Sequence, residues 1–99
     1  MADKKPVLLV VEDDQAQRAL ICQLLAAEGY QLWQADSVET AILSLKDNPQ
    51  ISLVLCDWKL GQGSGLQVLQ YVRQHFAATG FVVATAYGSV SHAVEAIHA

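Results

Sequence analysis

Cysteine is scarce in this sequence. Cys22 and Cys56 are its two cysteines, both inside apolar runs and far from any Cys-x-x-Cys spacing, so both read as buried thiols, with no disulfide or zinc site expected. Positive charge is scarce too: six Lys and Arg stand against ten Asp and Glu, a formal net charge of −4. That balance argues against a nucleic-acid backbone as the main partner. Long apolar runs are missing, none reaching the roughly 18 residues of a membrane span. The opening "MADKKP" leads into no secretory apolar region with a cleavage site, so a cytoplasmic location without membrane contact is the expectation. There is no His-Glu-x-x-His, no Cys/His cluster, no Gly-x-x-x-x-Gly-Lys-Ser/Thr loop and no Gly-x-Gly-x-x-Gly after the first strand, so nucleotide binding lacks its usual evidence. Low-complexity segments and linkers are absent as well.

What remains is a globular composition, 53% hydrophobic and 16% charged over 99 residues, read as one domain over 1–99 that buries roughly 60–70% of its unfolded surface. "VLLVV" (7–11) is an uninterrupted apolar run, the mark of a strand covered on both faces, and the helix after it carries Ala16, Leu20, Leu24 and Ala27 at helical spacing up to Gly29. "YQLWQA" (30–35) half alternates, as a strand near a sheet edge does. The next helix has Asp36 and Glu39 in capping-box register and an apolar face of Val38, Ala41, Ile42 and Leu45. Asn48 and Pro49 end it. "ISLVLC" is a third strand, "SGLQVLQYVRQHF" (64–76) a helix with Leu66, Leu69 and Val72 on one stripe, and "FVVAT" (81–85) a fourth strand before a last helix through Val90, Val94 and Ile97.

Strand and helix alternating four times require a parallel sheet with helices on both faces and right-handed crossovers. All strands of such a sheet end at one edge, where ligands bind. The triplet Glu12-Asp13-Asp14, Asp57 and Thr85 therefore meet at one rim. Carboxylates gathered there repel by about 4 kcal/mol per pair at 4 Å in an effective dielectric near 20, and a hard divalent cation such as Mg²⁺ is the natural counter-charge. An aspartate beside Mg²⁺ can attack a phosphoryl group. The plainer readings are that Asp57 opens a turn and that Thr85 is only a β-former. Gly61, Gly63 and Gly65 permit a tight loop and close backbone approach.

These residues resemble the receiver domain of two-component response regulators. "VLLVVEDD" is similar to its first strand and acidic pair, "LVLCDWKLGQGSG" to its third strand, phosphoacceptor and the glycine at Gly65, and "VVATAYGS" to its fourth strand with the hydroxyl residue and following Ala. The resemblance implies an α/β, flavodoxin-like, doubly wound sheet in the order 2-1-3-4-5, incomplete here with four strands and about four helices. It implies Asp57 as phosphoacceptor and Asp13 as direct metal ligand. Glu12 would reach the metal through water, and the Lys59 main-chain carbonyl would complete the set. Thr85 becomes the switch residue, and Ala86, Trp58 and Lys59 become phosphate-binding positions. Asp14 reads as the N-cap of the first helix, with Gln17 at the capping-box position.

The resemblance also implies a fifth strand bearing a lysine and an aromatic partner of Thr85, then a fifth helix, none of them before Ala99. The expectation is accordingly a C-terminally truncated receiver whose bared fourth-strand edge and the flank at Leu20, Ile21, Leu24 and Leu25 favour self-association as a homodimer. The function implied is Mg²⁺-dependent transfer of a phosphoryl group from a sensor histidine kinase or phosphotransfer protein to Asp57, not conventional enzyme turnover. A pseudo-receiver interaction module is the alternative. An aspartyl-phosphate hydrolase fits less well, because the second aspartate it needs two residues after the nucleophile is Lys59. His92, Glu95 and His98 read as a solvated helix face, and Trp33 and Trp58 as packing area, with Trp58 placed to shape access to Asp57.

Overall fold

Alternate residues of the first strand, β1 (Val7–Val11), enter two different cores. Leu9 and Val11 pack into one cluster and Leu8 and Val10 into the other, all four almost fully buried. This is the burial on both faces that an uninterrupted apolar strand calls for. The computed structural model describes residues 5–84 of the chain. The remaining elements are α1 (Gln15–Ala27), β2 (Gln31–Ala35), α2 (Val38–Asp47), β3 (Ile51–Asp57), β4 (Lys59–Leu60), β5 (Gly63–Ser64), α3 (Gly65–His75) and β6 (Gly80–Ala84).

The four long strands form one parallel sheet in the order β2-β1-β3-β6, the start of the 2-1-3-4-5 order that the resemblance implies, with β2 at an edge as its half-alternating sequence suggested. One sheet face packs with Ala41 and Leu45 of α2 and Val68 and Val72 of α3. The other packs with Ile21, Cys22 and Leu25 of α1. Both cysteines are free and buried. Among the described residues no helix is long and apolar enough to cross a membrane. The expected last helix, with Val90, Val94, Ile97, His92, Glu95 and His98, lies outside the described residues.

Several local expectations need correction. In α1 the buried stripe is Ile21, Cys22 and Leu25, whereas Leu20 and Leu24 are 45% and 40% exposed. Both stripes have helical spacing, and an apolar-rich helix offers more than one. In α3 the stripe runs through Val68 and Val72, and Leu66 points to solvent. The N-cap of α2 is Ser37, whose hydroxyl accepts from the Thr40 N–H at 3.1 Å while Thr40 Oγ1 accepts from the Ser37 N–H at 3.0 Å. This capping box lies one residue beyond the pair Asp36 and Glu39. The antiparallel pair β4 and β5 was not expected. It tightens the glycine-rich stretch into a hairpin, with Gly61 at φ +61 in the left-handed region that glycine enters freely.

Candidate functional site

β1 and β3 are hydrogen-bonded neighbours, and Val11 pairs with Cys56. The next residue on each strand is an acid, Glu12 and Asp57, so the register delivers them side by side at the carboxyl edge. Oxygen atoms of Glu12, Asp13 and Asp57 lie within 4.8 Å of one another. Glu12 and Asp57 are 5% and 8% exposed, the two buried charged side chains of the described core. Asp57 pairs with Ala84 of β6 across the sheet. Thr85 and Ala86, the expected switch and phosphate positions, lie outside the described residues.

Each acid is held differently. The Glu12 N–H donates to the Ala35 carbonyl at 3.0 Å, and Glu12 Oε2 accepts from the Asp14 N–H at 3.2 Å. Asp13 Oδ2 accepts from the Gly61 N–H at 3.0 Å, tying the β4–β5 hairpin to the end of β1. Asp14 caps α1, its Oδ1 accepting from the Gln17 N–H at 3.0 Å, which leaves two acids of the triplet for the rim. Asp57 Oδ1 is buried and without a hydrogen-bond partner among the described residues. A buried carboxylate oxygen in that condition is costly unless something positive meets it.

Burial pushes the Glu12 carboxyl up from an ordinary 4.5 to about 7; the Asp14 N–H opposes the rise, while the nearby Asp57 charge and the closeness of the Asp13 and Asp57 carboxyl groups add to it. Burial likewise pushes the Cys56 thiol up to about 12, reinforced by the charges of Asp57 and Glu12. Cys56 is therefore a neutral packing residue beside the acids and not a nucleophile. The donor set fits a hard divalent cation: three carboxyl groups, one of them with a buried oxygen that has no partner among the described residues.

The loop after Asp57 is fitted closely to the strand. A Cβ built on Gly65 would come within 2.7 Å of the Asp57 carbonyl oxygen and 3.1 Å of Trp58 Cα, and the Gly65 N–H donates to the Trp58 carbonyl at 2.7 Å. A Cβ on Gly63 would meet Val38 Cγ2 at 2.7 Å. Trp58 is 42% exposed and Lys59 is exposed, so both side chains lie open beside the buried acid. Two contacts escaped the sequence. The Gly61 amide on Asp13 is invisible because a main-chain donor leaves no residue-type signal. Arg18 Nη1 donates to the Glu12 carbonyl at 2.8 Å, and its only advance trace was a basic side chain in the first turn of the helix that follows the acids.

The response regulator receiver domain model matches residues 8–99. The acid tolerance regulatory protein ActR of Sinorhizobium medicae is 36% identical over 90 residues, an alignment covering 91% of this chain and 46% of ActR. The response regulator protein FleR of Pseudomonas aeruginosa is 34% identical over 90 residues, covering 91% of this chain and 19% of FleR. The chain thus spans less than half the length of these curated relatives. Among solved structures, a response regulator receiver protein from Pseudomonas putida aligns with a TM-score of 0.79 at 29% identity, covering 99% of this chain and 81% of that one. The signal receiver domain of a putative Luxo repressor protein from Vibrio parahaemolyticus aligns with a TM-score of 0.74 at 32% identity, covering 95% of this chain and 72% of that one.

Proposed function

The chain belongs to the response regulator receiver family, and from that premise we propose that Asp57 accepts a phosphoryl group from the phosphohistidine of a sensor histidine kinase or phosphotransfer protein. An Asp57 carboxylate oxygen forms the new P–O bond as the P–N bond of the donor breaks, and the imidazole nitrogen keeps the electron pair. Glu12, Asp13, Asp57 and the Lys59 main-chain carbonyl would hold Mg²⁺, Glu12 through water. When bound, the cation offsets negative charge on the acids and on the phosphoryl oxygens. Trp58, Lys59 and Ala86 bind the phosphoryl oxygens, and the Thr85 hydroxyl follows the phosphoryl group as the switch. The chain works in the cytoplasm through protein partners and makes no direct nucleic-acid contact.

The observation that carries this reading is the buried Asp57 Oδ1, without a hydrogen-bond partner among the described residues and within reach of two further carboxylates. A structural turn aspartate would spend its oxygens on nearby main-chain N–H groups, as Asp14 does. An acid at a strand end whose oxygen none of the described residues engages is suited to attack and to metal ligation. The test is incubation with Mg²⁺ and acetyl phosphate, followed by intact-mass and peptide mapping. One phosphoryl group on Asp57, absent from Asp57→Asn, is the expected result. Labelling that survives Asp57→Asn overturns the assignment.

A further inference from the structure

Arg18 lies in the first turn of α1 and is half-buried. Its guanidinium turns back toward the acidic rim, and its two hydrogen bonds go to a main-chain carbonyl and a side-chain amide. Nη1 donates to the main-chain carbonyl of Glu12 at 2.8 Å, and Nε donates to Oε1 of Gln34 on β2 at 3.2 Å. That carbonyl belongs to the peptide joining Glu12 to Asp13, the bond between two of the three clustered acids. The N–H on the other side of Glu12 is held by the Ala35 carbonyl at 3.0 Å. Glu12 is thus fixed to β2 twice, directly through its N–H and through the Arg18–Gln34 bridge at its carbonyl.

A guanidinium suits this place. It is planar, permanently charged, and can serve two acceptors at once from a rigid fork, and a charged donor on a carbonyl makes a stronger hydrogen bond than a neutral one. Rotation of the clamped peptide would swing Glu12 and Asp13 relative to each other. We propose that Arg18 is a positioning residue for the cation site: by pinning the Glu12–Asp13 peptide against β2 it sets the directions in which those two carboxylates face Asp57. The inference rests on the cation reading above and extends it to a residue outside the proposed ligands. Partners of this kind, one step removed from the ligands, commonly govern metal affinity.

The experiment uses the full chain with Mg²⁺ as probe, read by Trp58 fluorescence and by calorimetry. Arg18→Met keeps much of the apolar stem and removes both hydrogen bonds, and it should weaken Mg²⁺ binding roughly tenfold. Arg18→Lys, able to reach one acceptor but not to bridge two, should recover part of the loss. Gln34→Leu leaves the Glu12 bond and removes the outer anchor, so its loss should be about two- to threefold, below the range for a direct partner. In the cation-free protein the ¹⁵N resonance of Asp13, the nitrogen of the clamped peptide, should move in both Arg18 variants. A role in packing alone would lower the melting temperature and leave Mg²⁺ affinity and the Asp13 resonance at parent values, and that result overturns the proposal. If Arg18→Met does not fold, parent-like affinity and resonance in Arg18→Lys and Gln34→Leu overturn it equally. A parent that gives no Mg²⁺ response overturns the cation reading itself, whereas variants that bind as the parent does overturn only the role of Arg18.

Discussion

At the scale of single residues, Glu12 is a buried acid held among other acids. Its carboxyl holds a proton up to about pH 7 in the folded chain, against 4.5 ordinarily, chiefly because it is buried. The unfolded chain releases that proton first as pH rises, so between these values the folded state binds more protons and stability falls. Glu12→Gln removes the slope. It should be more stable than the parent at pH 8 by on the order of 1–3 kcal/mol in the absence of divalent cations. Denaturant titrations of both proteins at pH 5 and pH 8 check this, with the larger difference at the higher pH. Mg²⁺ should narrow it, because a bound cation favours the ionised acid and displaces the proton. The acids themselves were legible in the sequence, as polar residues directly after apolar strands. Their clamps were not, because a main-chain amide such as Gly61 and a lone arginine such as Arg18 carry no pattern.

At the scale of elements, strands were more legible than helix faces. A buried strand announces itself by an apolar run, and the runs at 7–11 and 51–56 fell where β1 and β3 lie. Helix α1 has apolar residues around much of its circumference, so spacing alone admitted the stripe Ala16, Leu20, Leu24 and Ala27 alongside the buried one at Ile21, Cys22 and Leu25. Packing decided between them. Leu25→Ala should therefore cost about 2–5 kcal/mol, while Leu20→Gln stays within about 0.5 kcal/mol of the parent. Thermal or chemical unfolding of the two variants tests the assignment, and equal losses would contradict it.

The join between β3 and α3 is the second place where an element depends on one residue. Gly65→Ala would set a methyl 2.7 Å from the Asp57 carbonyl oxygen, which is main chain and has little room to retreat. Overpacking of this kind typically costs about 1–3 kcal/mol, and the forced shift falls on the residue that presents the acid. The variant should lose stability and Mg²⁺ affinity together, measured by unfolding and by Trp58 fluorescence. Loss of stability with unchanged affinity would mean that the strand end is not what gives way.

At the scale of the whole molecule, function depends on strand order. Alternation of strand and helix is enough to require a parallel sheet, but periodicity says nothing of which strands are neighbours; that order came from resemblance to receivers and is observed as β2-β1-β3-β6 among the described residues. Placing β1 beside β3 is what brings Glu12 and Asp13 to Asp57 across more than forty residues of chain. Any other neighbour for β3 would leave Asp57 as a buried acid without company. The most direct measurement is the rate at which acetyl phosphate labels Asp57 as a function of Mg²⁺ concentration, compared with the Mg²⁺ dependence of Trp58 fluorescence. The two curves should saturate over the same concentration range and shift together to higher Mg²⁺ in Asp13→Asn. A labelling rate that is independent of Mg²⁺, or unchanged by Asp13→Asn, would contradict the claim that the three acids form one site serving phosphoryl transfer.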